Sequence, residues 1–162
     1  MRKIPLSNSD KVALVDEEDY PLLKTFRWSA NSAGYAQAWV GNTVCFMHRI
    51  IMRTPIGMHT DHINHQPLDN RKKNLRICTN SQNQGNRIKS NGSGSAYKGV
   101  IRTRQGKYKA QLTRMGKYKY LGTFECEVDA AEAYNHEALL QFGEYASLNE
   151  IVPSSTIHRL SN

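Results

Sequence analysis

The chain has 162 residues, with 22 Lys and Arg against 14 Asp and Glu, for a formal net charge of +8. That length suits one ordinary domain or two to three small ones, and the basic balance points to a polyanionic partner. Cys45, Cys78 and Cys126 lie far apart with no Cys-x-x-Cys, which argues against a zinc ribbon or disulfide framework and for reduced thiols inside a cell. The start, Met1-Arg2-Lys3-Ile4-Pro5, lacks a signal-peptide core, and nothing approaches the roughly 20 apolar residues of a membrane span. The expectation is a soluble, cytoplasmic protein with no membrane partner.

Residues 1–45 hold 5 basic and 5 acidic side chains and read as short strands with turns. Val12-Ala13-Leu14-Val15 is a compact apolar run, and Asp16 is placed to cap a short helix through Leu23. Gly34 to Val40, then Gly41-Asn42, then Thr43 to Phe46 predicts a β-hairpin around a two-residue turn. Trp28, Tyr35 and Trp39 have no local excess of basic residues and are assigned to the core rather than to base stacking.

Residues 46–90 carry 8 basic and 2 acidic residues. Met58 to Ile63 reads as a strand, Asn64 to Asn74 as a loop turned by Pro67 and Asn70, and Asn74 to Cys78 as a second strand. Thr79 can cap a short helix that carries Asn83. In such a unit Asp61 and Asn83 can converge on one ion, and a carboxylate with an amide oxygen makes a hard donor pair suited to Mg²⁺. The adjacent His62 titrates near neutral pH and can take a proton from water. Neighbouring residues on an ideal strand face opposite ways, so this reading requires the strand to end or twist near Asp61. Arg71, Lys72, Lys73, Arg76 and Arg87 surround the set, a composition suited to phosphodiester chemistry.

Asp61-His62, Asn74 and Asn83, with Asp69-Asn70-Arg71 and Asn74-Leu75-Arg76, resemble the motif of HNH endonucleases with a ββα-metal fold. The resemblance runs from His48-Arg49 to Asn86-Arg87, in the Asp/Asn variant found in phage and intron-encoded homing endonucleases. It implies Asp61 and Asn83 as ligands of one Mg²⁺ (or Mn²⁺), with no structural zinc. It also implies His62 as general base, and Asn74 as the residue that pins the loop and orients His62. His48 matches a common His-Arg position without an assigned chemistry. His59 should share a strand face with Asp61, where a contact to a metal ligand or to a phosphate is open to it. His65 stands where relatives usually have glycine and reads as an exposed loop residue.

Ser90 to Ser95 is small, polar and glycine-rich, so the expected organisation is a β-rich region 1–45, a nuclease unit 46–90, a linker 91–95, a domain 96–149 and a tail 150–162. Residues 91–122 hold 8 basic and no acidic residues. Three alternating strand patterns are followed by a helix whose Val128, Ala131, Tyr134, Ala138 and Phe142 recur at steps of three or four. Lys98, Arg102 and Arg104 share one parity, with Val100 the exception, and Lys107, Lys109, Gln111 and Thr113 share one face; Lys117 and Lys119 oppose Tyr118, Tyr120 and Phe124. The expectation is a sheet with a basic outer face, covered on its apolar face by a helix whose outer side carries Glu127, Asp129, Glu132 and Glu137.

Tyr97-Lys98-Gly99-Val100, Gly106-Lys107-Tyr108, Leu121-Gly122-Thr123-Phe124, Asp129-Ala130-Ala131 and Ala133-Tyr134-Asn135 resemble the AP2 DNA-binding domain of plant transcription factors and phage endonucleases. Ile101, Thr103, Gln105 and Tyr120 replace residues frequent in plant members, so no base preference carries over. The fold class expected is α+β, with a ββα nuclease unit and a three-stranded sheet on one helix. The function expected is a monomeric, site-recognising endonuclease that nicks double-stranded DNA, in the host bacterial cytoplasm if phage-encoded. A DNA-binding regulator with an inactive HNH unit is the alternative, and RNA binding rests on charge alone.

Overall fold

The computed structural model describes residues 1–88 and 94–151. The chain is mixed α and β, with several small sheets and few helices, and divides into compact units Met1–Asn83 and Gln84–Asn162. Of the expected linker only Gly94 and Ser95, and of the expected tail only Glu150 and Ile151, lie within the described residues.

In the first unit, β1 (Arg2–Leu6) and β2 (Ser9–Val15) form an antiparallel hairpin that buries Ile4, Leu6, Ala13 and Val15 by alternation. The helix expected from Asp16 is shorter: α1 spans Tyr20–Leu23, with Pro21 in its first turn and Asp19 at the cap position. Asp16 is diverted to a distant partner, the backbone N–H of Lys72 at 2.8 Å. Next, β3 (Ser29–Ala30), β4 (Ala36–Val40) and β5 (Thr43–Phe46) make an antiparallel sheet. The β4–β5 turn is the expected two residues, Val40 pairing with Thr43 and Gly41 taking φ 60°.

Trp28 is core, 1% exposed, with its Nε1 donating to the Leu23 carbonyl at 2.7 Å. Tyr35 is half-buried. Trp39 departs from the core assignment: it is 71% exposed, because β4 leaves the core after Ala38. One apolar core contains Val15, Trp28 and Ala38 together with Met47, Ile51 and Leu75.

After α2 (Met47–Met52) come β6 (His59–His62), a 3₁₀ turn at Lys72–Asn74, β7 (Leu75–Cys78) and α3 (Asn80–Gly85). β6 and β7 are antiparallel, Asp61 opposite Arg76 and His62 opposite Leu75. Thr79 and Gln82 form a reciprocal capping box: Thr79 N–H donates to Gln82 Oε1 at 2.8 Å, and Gln82 N–H to Thr79 Oγ1 at 3.3 Å. The strand, loop, strand and helix therefore follow in the expected order.

In the second unit, β8 (Val100–Arg102), β9 (Tyr108–Arg114) and β10 (Lys117–Phe124) form an antiparallel sheet in the order β10-β9-β8, packed on α4 (Glu127–Phe142). Val100, Ala110 and Leu112 meet Ala131, Tyr134, Ala138 and Phe142 in its core. Asn135 and Asn149 exchange side-chain and backbone hydrogen bonds at 2.7 and 2.9 Å, and Asn149 also bonds both backbone groups of Lys98.

The sheet's faces differ from the alternation reading in two places. A register shift between Tyr120 and Gly122 breaks the period of β10. Phe124 pairs with Tyr108 and packs into the core, whereas Tyr118 and Tyr120 pair with Thr113 and Gln111 on the open face, each 54% exposed. Lys119 instead pairs with buried Leu112 on the helix side, and its Nζ bonds Glu137 at 2.8 Å. Glu137, expected on the solvent side of the helix, is thus buried at 7% exposure. Arg102 shares the parity of buried Val100; Ile101 and Lys109, a pair across β8 and β9, lie on the open face.

Candidate active site

Asp61 and His62 close β6, and the chain turns away at once: His65 N–H bonds the His62 carbonyl at 3.1 Å. His65 adopts φ 59°, a left-handed conformation that glycine takes without strain, which is the physical reason a glycine suits this position. Because the strand ends there, both Asp61 and His62 line one cleft of about 240 Å³, together with Asn83, His48, His59, Arg49, Thr60, Tyr35 and Phe46. The two strand neighbours and the distant helix amide are therefore brought together.

Asp61 is buried and pairs with Arg76, whose Nε and second guanidinium nitrogen approach Oδ2 at 3.0 and 2.9 Å. His62 is 5% exposed and its pKa is lowered. Burial is the main cause, opposed by the Asn70 hydrogen bond and the charges of Asp61 and Asp69. A ring so placed is neutral at neutral pH and can accept a proton. His48 lies against it, ring centroids 5.1 Å apart at 77°, and stacks on Phe46 at 5.6 Å. Burial first, then the charges of His62 and Arg49, push His48 down to about 3. Tyr35 closes the same wall, 5.4 Å from His48 and 5.6 Å from His62.

Asn74 bonds the loop at two points: its Oδ1 accepts from Asn64 N–H at 3.0 Å and its Nδ2 donates to the Asp69 carbonyl at 2.8 Å. The amide set against the His62 ring is Asn70, with Oδ1 3.4 Å from Nε2. In the sequence Asn70 stands out only as a turn residue within Asp69-Asn70-Arg71. Nothing periodic marks it, since it acts from an irregular loop.

The basic residues divide by partner. Arg71 clamps both Asp69 oxygens at 2.6 Å, holding that carboxyl below its usual range. Lys72 pairs with Glu18 and Asp19, and Lys107 with Glu125. Lys98 donates to the Gly85 carbonyl at 2.8 Å and lies over the Tyr134 ring; burial lowers its pKa to about 8. Lys109 lies 5.9 Å over Tyr118. Arg87, Arg102, Arg104 and Lys117 are exposed.

Among the described residues, no group of three or more His, Cys, Asp and Glu side chains is arranged to hold a metal ion. A cation in this cleft would draw on Asp61 and Asn83, two hard oxygen donors that suit Mg²⁺, which keeps part of its water shell. No helix among the described residues is long and apolar enough to cross a membrane. The three cysteines are free.

A buried acid-histidine pair thus closes one strand of an antiparallel pair that is followed by a capped helix, and comparison with known proteins bears on the class of the chain. Over 144 residues the chain is 31% identical to an uncharacterised HNH endonuclease of Acanthamoeba polyphaga mimivirus, a match that covers 86% of this chain and 75% of the relative. The chain belongs to the HNH endonuclease family. No family model matches it, and neither does any solved structure.

Proposed function

We propose that the protein is a metal-dependent, site-recognising DNA endonuclease of the homing type that nicks double-stranded DNA as a monomer. The observation that carries this reading is the convergence of Asp61, His62 and Asn83 on one cleft, with His62 kept neutral by burial. His62 takes a proton from water as the water oxygen bonds to phosphorus and the bond to the 3′ oxygen breaks. Asp61 and Asn83 would hold one Mg²⁺ or Mn²⁺ ion. When bound, such an ion supplies charge stabilisation at the phosphate and the leaving oxygen. Asn74 pins the loop on which this geometry depends.

The second unit is the recognition module in this reading, an AP2-like sheet whose open face enters the major groove. Tyr118, Tyr120, Lys109 and Gln111 lie on that face; Arg102, Arg104 and Lys117 are exposed, but Arg102 shares the parity of buried Val100 and Lys117 that of Lys119. With 6–10 phosphate contacts, affinity should fall about 10³–10⁵-fold between 50 and 200 mM salt.

One observation favours the alternative, a DNA-binding regulator without cleavage: Arg76 pairs with Asp61 Oδ2 and so competes for the carboxylate that would ligate an ion. A supercoiled-plasmid assay with a bound site and Mg²⁺ or Mn²⁺ separates the two. Nicked circles from the native chain, reduced about 10²–10⁴-fold by His62→Ala, are expected. Equal absence of nicking from both proteins would sink the enzyme.

A further inference from the structure

We infer that Asn70, seated by strand β2 from the N-terminal region, is the positioning residue of His62: it holds the imidazole with its proton on Nε2 and its lone pair on Nδ1. The inference rests on the reading of His62 as general base and goes beyond it in naming the residue that orients the base and a role for the first strands of the chain.

An amide oxygen only accepts, so the contact between Asn70 Oδ1 and His62 Nε2 at 3.4 Å places the hydrogen on Nε2. In the neutral ring the basic lone pair then belongs to Nδ1. Asn70 is 0% exposed, so no water competes for this contact at the amide. Its Nδ2 is buried without a hydrogen-bond partner, an unfavourable placement that the fold tolerates while the oxygen is aimed at the ring.

The seat is built by residues far away in sequence. Asn70 N–H donates to the Leu14 carbonyl at 2.8 Å, and Leu14 N–H donates to the Leu68 carbonyl at 2.8 Å, which lays β2 beside the loop as a short parallel bridge. Asp16 takes the Lys72 N–H two residues further on. Three backbone groups of residues 68–72 are thereby fixed by residues 14–16. Asn74 ties the same loop from its other side, and Asp69 ties it through Asn64 and Arg71. His48 and Tyr35 also lie against the ring. Asn74 shapes the loop, and Asn70 touches the base.

The test is the tautomer of His62 in the full chain carrying ¹⁵N-labelled histidine, read from long-range ¹H–¹⁵N correlations and assigned with His62→Gln. The native chain should show the Nε2–H form. Asn70→Ala should mix the two forms and lower kcat for nicking about 10- to 100-fold with KM within about twofold, since a misaimed base loses part of its contribution. Asn70→Asp, which keeps an acceptor oxygen, should retain the Nε2–H form even if Asn70→Ala does not fold. A native Nδ1–H form, as a reversed amide would impose, overturns the inference, as does an Nε2–H form undisturbed in folded Asn70→Ala or lost in Asn70→Asp. The tautomer is read without DNA, so a chain that never nicks DNA would count against the enzyme reading and leave this readout intact.

Discussion

Gly99→Ala should damage the second unit far more than Gly106→Ala, although both glycines have left-handed backbones. Gly99 holds φ +74°, and a Cβ there would lie 1.9 and 2.3 Å from the Tyr134 ring and 2.7 Å from the Gln111 carbonyl oxygen. Neither neighbour can retreat. Tyr134 is 4% exposed and wedged with Leu112, Ala138 and Phe142, while Gln111 donates its N–H to the Gly99 carbonyl at 2.8 Å from the middle of β9. The left-handed backbone costs an alanine about 1–2 kcal/mol. Forcing a methyl group against a packed core adds about 1–3 kcal/mol. Gly106, at φ +83°, has nothing within 4 Å of its Cβ position, so the backbone cost stands alone there. Gly99→Ala should therefore lose about 2–5 kcal/mol in total, against a stability of about 5–15 kcal/mol for a typical domain. Urea unfolding followed by circular dichroism measures both variants, and a gel-shift titration at fixed salt reports the loss of DNA binding. Equal destabilisation of the two, within about 0.5 kcal/mol, would refute the close approach of Tyr134 as the reason for glycine at position 99.

Three further outcomes follow from the site and the sheet. Arg76→Gln leaves the buried Asp61 carboxylate without its guanidinium, a loss of about 3–5 kcal/mol, and Mg²⁺ should raise the Tm of the variant more than that of the native chain; equal shifts would mean that Arg76 and the ion do not compete. His48 has an ordinary pKa of 6.5 unfolded and about 3 folded, so the unfolded chain binds more protons in that window and stability drains away as pH falls from about 6.5 towards 3. His48→Phe should flatten that acid limb of Tm against pH, and an unchanged limb would exclude His48 as its source. Lys109→Ala should weaken DNA binding and reduce the salt slope by about 1, whereas Lys119→Ala should chiefly destabilise the unit by stranding Glu137; the reverse pattern would put Lys119 on the DNA face.

Much of this architecture is legible in short stretches of residues. The Gly41-Asn42 turn, the Thr79–Gln82 capping box and the helix from Glu127 to Phe142 are each set by local backbone preferences or one apolar period. The Asp61, His62 and Asn83 set is singled out by its resemblance to the HNH motif, and the strand and helix that carry it are readable in order. Asp16 caps no helix because its partner, the Lys72 N–H, lies 56 residues away, beyond any local pattern. Trp39 is exposed although its strand reads as core, because nothing in that strand records where the sheet leaves the core.

The sequence by itself determined the kinds of element and their order, since those follow from spacing within a few residues, and the HNH-like motif singled out Asp61, His62 and Asn83, which line one cleft. Only the tertiary structure decided which lysines face outward, because one bulge at Tyr120–Gly122 exchanges the faces of β10 partway along its length. It also decided that Asn70 meets His62, through a strand more than fifty residues earlier. The bonds by which that strand seats the Asn70 loop are made by backbone groups, which every residue carries alike, and so leave no mark in side-chain pattern.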